Sequence, residues 1–300
     1  MTRHFTDVDD LSADELETVL DAAADLKGQV KRDEPHPLLG RQTLGMVFEK
    51  PSSRTRLSFE TGMTQLGGHA IFLGPDDIGL GEREPLTDTA RTLSGYVDCA
   101  MVRLFDHEDL KELAACADIP IVNGLTDDAH PCQTLADLLT LRETVGFDSR
   151  VAWVGDGNNV AQSFVLGCAL AGIDLTVATP DEYGIDERVL DRADGIGTAP
   201  DVTNDPAAAV TGADAVYTDV WVSMGEEHSK EKLAAFEAGD FQVNADLLDD
   251  SPIVLHCLPA HRDEEITENV LESDRAVVWQ QAENRLHAQK GLLAFLLDAL

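Results

Sequence analysis

Lysine is scarce in this chain. Seven stand among 300 residues, beside 56 aspartates and glutamates, and the formal net charge is −34. A surface so short of cations offers no basic stripe for a phosphate backbone, which excludes nucleic acid as a partner. No apolar run reaches the roughly 20 residues a bilayer-spanning helix needs, and Met1-Thr2-Arg3-His4-Phe5 contains no signal-peptide core. These absences predict a soluble, cytoplasmic protein with no membrane partner. The five cysteines, at 99, 116, 132, 168 and 257, are odd in number and form no Cys-x-x-Cys pair. That spacing argues against a disulfide frame or a structural zinc site, and free thiols are expected.

The acid excess has its own physical reading. Such a surface repels itself in dilute buffer, but at about 1 M salt the Debye length is roughly 3 Å and the repulsion is screened. A salt-filled cytosol follows. The alternative, a disordered acidic chain, conflicts with 43% hydrophobic content arranged in regular periods. Three hundred residues suit two domains of common size.

The most informative stretch runs from Lys50 to Glu60. The apolar run Leu44 to Phe48 reads as a strand, and Arg56, Phe59, Met63 and Leu66 repeat at helical spacing. Between them, Ser52, Ser53, Arg54 and Thr55 place hydroxyls and a guanidinium at a helix start, where unpaired N–H groups favour an anion. An ordinary serine cap with solvated arginines is the bland alternative. Arg103 ends the apolar run Ala100 to Val102, which points it into the crevice where open α/β sheets bind ligands; an ion pair with Asp106 or Glu108 is the competing reading.

Along the chain, Ser12-x-x-Glu15 forms a capping box before a helix. Strands are expected at 70–73, 100–103, 119–122, 151–154, 175–178, just before Pro200, at 215–218 and at 253–255. Helices are expected to start near Pro85 and to span 109–116, 134–145, 161–171 and 186–193. A polar loop covers 74–84, and Val277 to Trp279 precedes a last helix. This βα alternation predicts two doubly wound parallel-sheet α/β domains joined by interdomain helices. The expected boundaries are 1–145, with 283–300 returning to it, and 146–282. Gly155-Asp156-Gly157-Asn158-Asn159-Val160 begins like a dinucleotide fingerprint but has valine where the third glycine belongs, so a nicotinamide dehydrogenase is only the second reading. Residues 219–230 read as a lid loop with Gly225 as hinge. A metal set built from His130, Cys132, His256 and Cys257 is disfavoured, because no ligand pair has zinc spacing.

Four blocks in order, Ser52 to Arg56, His130-Pro131-Cys132-Gln133, Asp219-Val220-Trp221-Val222-Ser223-Met224-Gly225 and His256-Cys257-Leu258-Pro259, resemble the aspartate/ornithine carbamoyltransferase family. The resemblance covers nearly the whole chain. It implies carbamoyl transfer from carbamoyl phosphate to an amino-acid amine, with no cofactor and no metal. It gives carbamoyl phosphate to Ser52, Ser53, Arg54, Thr55, Arg103, His130, Gln133, Cys257, Leu258 and Arg285, and the amino acid to Asn159, Asp219, Ser223 and Met224. Arg54, Arg103, Asp219 and Cys257 are the expected catalytic residues. The acid at Asp219 favours L-ornithine over aspartate, whose extra carboxylate needs cations. A phosphate-binding module without turnover is the reading from another class. The family also implies a homotrimer or an assembly of trimers, in which the 74–84 loop reaches a neighbouring site; Gly79 brings no side chain to that contact.

Overall fold

The computed structural model describes residues 2–80, 84–223, 230–248 and 252–300. The chain divides into a unit of residues 1–139 and 284–300 and a second of residues 140–283. Both divisions fall inside helices, Pro131–Thr144 and Val278–Leu296.

The first unit holds four parallel strands, β1 (Thr43–Phe48), β2 (His69–Leu73), β3 (Cys99–Arg103) and β4 (Ile121–Leu125), in the order β2-β1-β3-β4. Four of the five β1 residues paired with β3 are apolar and all are buried, as expected for a strand covered on both faces. Phe5 extends the sheet beyond β4, donating its N–H to Ile121 O at 2.8 Å and accepting from Asn123 N at 2.8 Å. The edge is therefore occupied by the chain's own N-terminal segment. Val47, Leu93, Val102, Leu110 and Ile121 build the core between sheet and helices.

The second unit holds β5 (Arg150–Val154), β6 (Asp174–Ala178), β7 (Asp201–Thr203), β8 (Ala215–Thr218) and β9 (Ile253–His256), all parallel, in the order β7-β6-β5-β8-β9. The chain has few aromatics, and all three tryptophans fall in this unit. Tyr217 meets Trp153 at 4.7 Å and Phe164 at 5.0 Å, both edge-on, and Trp221 stacks on Phe236 at 5.1 Å. Trp221 thereby pins the chain just past the end of β8.

Most expected elements appear with ends moved by a few residues, and the larger differences have local causes. β4 starts at Ile121 and runs on through Gly124, where a Cβ would lie 2.4 Å from Met101 Sδ and 3.2 Å from Val102 O, so a larger residue would have to displace the methionine side chain. The short edge strand follows Pro200 instead of preceding it. The segment expected to be a plain loop begins with a helix, Pro75–Ile78, closed by Gly79 in the left-handed conformation at φ +54°. The last helix starts at Val278, so Trp279 belongs to it. Residues 81–83 lie outside the described residues, as do 224–229, half of the expected lid including Gly225.

Four of the seven lysines are buried: Lys27, Lys50, Lys232 and Lys290. Each has a partner: Asn284 for Lys27, Asp127 for Lys50, Asp156 for Lys232, and Gln65 and His36 for Lys290. Lysine here is mainly an interior residue, and the surface is left to carboxylates. Lys290 Nζ lies 2.8 Å from Gln65 Oε1 and 3.1 Å from His36 Nε2, and burial lowers its pKa from 10.5 to about 8. The folded pKa lies below the unfolded one, so unfolding takes up a proton between those values and stability rises with pH across that window. Thermal unfolding from pH 8 to 10.5 should show this gain in the wild type and a smaller one in Lys290→Met. Parallel curves would contradict the assignment.

Candidate active site

Parallel sheets bind ligands beyond the carboxyl ends of their strands, where the strand order reverses. In the first unit that point lies between β1 and β3, whose last residues, Phe48 and Arg103, are register partners. Glu49 N donates to Arg103 O at 2.9 Å, Phe105 N to Glu49 Oε2 at 2.8 Å, and Asp127 N to Phe105 O at 2.9 Å. Lys50 pairs with Asp127 and lies 4.2 Å from the Phe105 ring centre. The loops after β1, β3 and β4 are thus joined beside the helix start.

Ser52 caps the helix Ser53–Gln65, its Oγ accepting from Thr55 N at 3.3 Å and donating to Thr55 Oγ1 at 3.1 Å. Arg285 Nη2 also donates to Thr55 Oγ1, at 3.2 Å. With both acceptor positions of that hydroxyl used, its own proton points to something else. Arg285 Nη1 donates to Gln133 Oε1 at 2.6 Å, and Gln133 is oriented by donating from Nε2 to Asp137 Oδ1 at 2.8 Å.

Arg103 is only 6% exposed, yet its side chain forms no hydrogen bond or ion pair with any described residue. Asp106, one rival partner, caps the helix His107–Cys116, and Glu108, the other, pairs with Lys111. Burial, then Arg285, then Arg54 lower the pKa of Arg103 to about 10. Arg54, half-buried in the first turn of its helix, likewise has no hydrogen bond or ion pair among the described residues. His130 is held well below its ordinary pKa by burial, Arg285 and Arg103, and is a neutral imidazole. Burial pushes the Cys132 thiol up to about 12, so it keeps its proton, 3.2 Å from Asn123 O. Buried guanidinium groups with helix N–H groups and hydroxyls beside them make a receptor for an oxyanion.

In the second unit the order reverses between β5 and β8. Asn158 caps the helix Asn159–Ala171, its Oδ1 accepting from Val160 N and Ala161 N, and its Nδ2 donates to Asp219 Oδ2 at 3.0 Å. Thr218 and His256 are register partners, so Asp219 and Cys257 emerge side by side, and Cys257 Sγ donates to Asp219 Oδ1 at 2.9 Å. Asn159, expected to hold the amino acid, is the first helical residue, next to this cap. Asn158 was given no role from the sequence, and its contact with Asp219 joins residues 61 positions apart. Gly157 comes close to backbone, since a Cβ there would lie 2.3 Å from Gly184 O. That approach gives its glycine a structural reason unrelated to a pyrophosphate. Ser223 is half-buried after Trp221, and Met224 lies outside the described residues.

His256 accepts from Leu258 N through Nδ1 at 2.9 Å, so its proton sits on Nε2, 2.9 Å from Glu265 Oε1. Glu265 Oε1 also accepts from His261 N at 2.7 Å. With both ring nitrogens engaged, His256 offers no lone pair to a cation, although its ring, Cys257 and Asp219 are neighbours. Glu265 was not visible in the sequence as a site residue. It holds His256, which holds Leu258 at φ +60°.

Replacing Thr55 by valine removes the hydroxyl that links Ser52 and Arg285. Inorganic phosphate, titrated calorimetrically, should bind Thr55→Val about tenfold or more weakly than wild type, the scale of one charge-assisted hydrogen bond lost. Equal affinities would mean the anion binds elsewhere.

The chain matches family models over two spans: residues 3–143 match the aspartate/ornithine carbamoyltransferase carbamoyl-P binding domain, and residues 148–296 the Asp/Orn binding domain of the same family. It is 63% identical over 299 residues to the ornithine carbamoyltransferase of Haloquadratum walsbyi, covering 98% of each chain. Ornithine carbamoyltransferase from Pyrococcus furiosus superposes with a TM-score of 0.94 at 45% identity, covering 99% of this chain and 98% of that one. The Thermus thermophilus enzyme of the same name gives 0.88 at 42% identity, covering 99% of both.

Proposed function

Because the chain belongs to the aspartate/ornithine carbamoyltransferase family, we propose that it moves the carbamoyl group of carbamoyl phosphate to the side-chain amine of L-ornithine, giving L-citrulline and phosphate. One observation carries this reading: Arg103 and Arg54 have no carboxylate partner among the described residues of a chain with 56 acids. Leaving a buried guanidinium without a counter-charge is costly unless a ligand supplies one.

The phosphate takes the first-turn N–H groups, Ser52, Ser53, Thr55, Arg54 and Arg103. The free Thr55 proton, Arg103 and the neutral N–H of His130 stabilise charge on the carbonyl oxygen as the amine attacks. Gln133, Arg285 and the Leu258 carbonyl orient the amide end. Asp219, held in place by Asn158 and Cys257, receives the ornithine ammonium; Asn159, Ser223 and Met224 take its amino-acid end. The side-chain ammonium first gives one proton to solvent, and the neutral amine nitrogen then forms the new C–N bond as the bond from carbonyl carbon to phosphate oxygen breaks; the second proton leaves after attack. The released phosphate accepts this second proton. Neither cofactor nor metal enters these steps.

No helix among the described residues is long and apolar enough to cross a membrane, and a metabolic reaction in a salt-rich cytoplasm suits the charge. The chain acts as a homotrimer or a stack of trimers on this reading. Light scattering in strong salt should give a mass of at least three 32.4 kDa chains; a monomer would remove the assembly proposal and leave the chemistry.

Citrulline formation in strong salt should require ornithine, with aspartate and putrescine inactive as acceptors. Arg54→Ala should raise the KM for carbamoyl phosphate about 100-fold, and Asp219→Asn should cut kcat/KM for ornithine by a similar factor while carbamoyl phosphate binding changes little. Equal losses toward both substrates in both variants would contradict the division of roles.

A further inference from the structure

Gln289, wholly buried on the helix Val278–Leu296, is one turn beyond Arg285. Its amide has one orientation that satisfies its surroundings. With the oxygen toward the guanidinium, it accepts from Arg285 Nε and Nη2, both at 3.1 Å, and its nitrogen donates to Ser58 Oγ at 2.7 Å. Ser58 Oγ in turn donates to Thr55 O at 3.1 Å. Arg285 Nη2 reaches Thr55 Oγ1, which closes a ring of hydrogen bonds between this helix and the first turn of Ser53–Gln65. Gln289, Gln133 and Thr55 together take four of the five N–H donors of Arg285.

All three of these partners are neutral, in a chain where acids outnumber amides heavily. A glutamate at 289 would have the same length and could accept the same two N–H bonds side by side. It would also cancel the guanidinium charge. We infer that Gln289 is a positioning residue of the carbamoyl phosphate site: its neutral oxygen fixes the Arg285 guanidinium toward Thr55 and leaves its positive charge available to the substrate. The inference rests on the function proposed above and names a residue outside the sequence motifs that carry it.

Two variants separate charge from packing. Gln289→Glu keeps the acceptor, loses the donor to Ser58 and adds a charge; Gln289→Met keeps the approximate volume and loses acceptor and donor without adding charge. With the full-length enzyme in strong salt, Gln289→Glu should keep or raise the melting temperature, yet weaken inorganic phosphate binding and raise the KM for carbamoyl phosphate about tenfold or more, with the KM for ornithine unchanged. Gln289→Met should mainly lower kcat, with phosphate affinity within about threefold of wild type. Wild-type phosphate affinity in Gln289→Glu, or equal losses in both variants, would overturn the inference. Ser58→Ala leaves charge untouched and frees the amide to turn. It should lower kcat in the same direction as Gln289→Met, and unchanged kinetics would count against the ring even if Gln289→Glu fails to fold. Failure of the wild type to bind phosphate would instead remove the proposed function.

Discussion

Two guanidinium groups, those of Arg54 and Arg103, are kept clear of carboxylates in a protein that is mostly carboxylate on its surface. In such a chain the default fate of an arginine is an ion pair, as Arg3, Arg32, Arg188 and Arg262 show. Arg103 escapes that fate because its nearest acids are committed, Asp106 to a helix cap and Glu108 to Lys111. Burial and its cationic neighbours lower its pKa to about 10, still far above neutral pH, so the charge persists. The depression comes first from burial and then from the like charges of Arg285 and Arg54. An oxyanion that brings negative charge there reverses it.

The fold supplies the place. In both units a cluster of polar side chains emerges where strand order reverses, at β1/β3 and at β5/β8. The two places carry opposite charge. The first gathers arginines around a helix start, whereas the second presents Asp219, with both oxygens receiving bonds, from Asn158 and Cys257. A phosphate ester and an ammonium-bearing acceptor are what such a pair of receptors would take. The lysines fit an acidic exterior: four of the seven are buried against partners, and the surface keeps its acids for a screened solvent.

Much of this was legible in the chain, because strand-to-helix junctions carry short runs of polar residues against apolar periods. The run from Ser52 to Thr55 reads as an anion-binding helix start, and the cap and the arginines are where it puts them. Asn158 went unnoticed because its bond to Asp219 spans 61 positions of the chain. β4 was shifted because Asn123 and Gly124 look like a turn, while in the fold Gly124 continues the strand with Met101 packed close beside it. Glu265 and Gln289 left no trace, since each acts through a partner distant in sequence: Glu265 through His256, and Gln289 through Arg285 and Ser58. A carboxylate among 56 and an amide inside an apolar helix carry no local pattern.

A crystal structure with carbamoyl phosphate bound tests the central claim most directly. The account predicts phosphoryl oxygens within about 3 Å of both the Arg54 and Arg103 guanidinium groups and of the first-turn N–H groups after Ser52. A ligand ordered anywhere else, with those two side chains still lacking a partner, would contradict it.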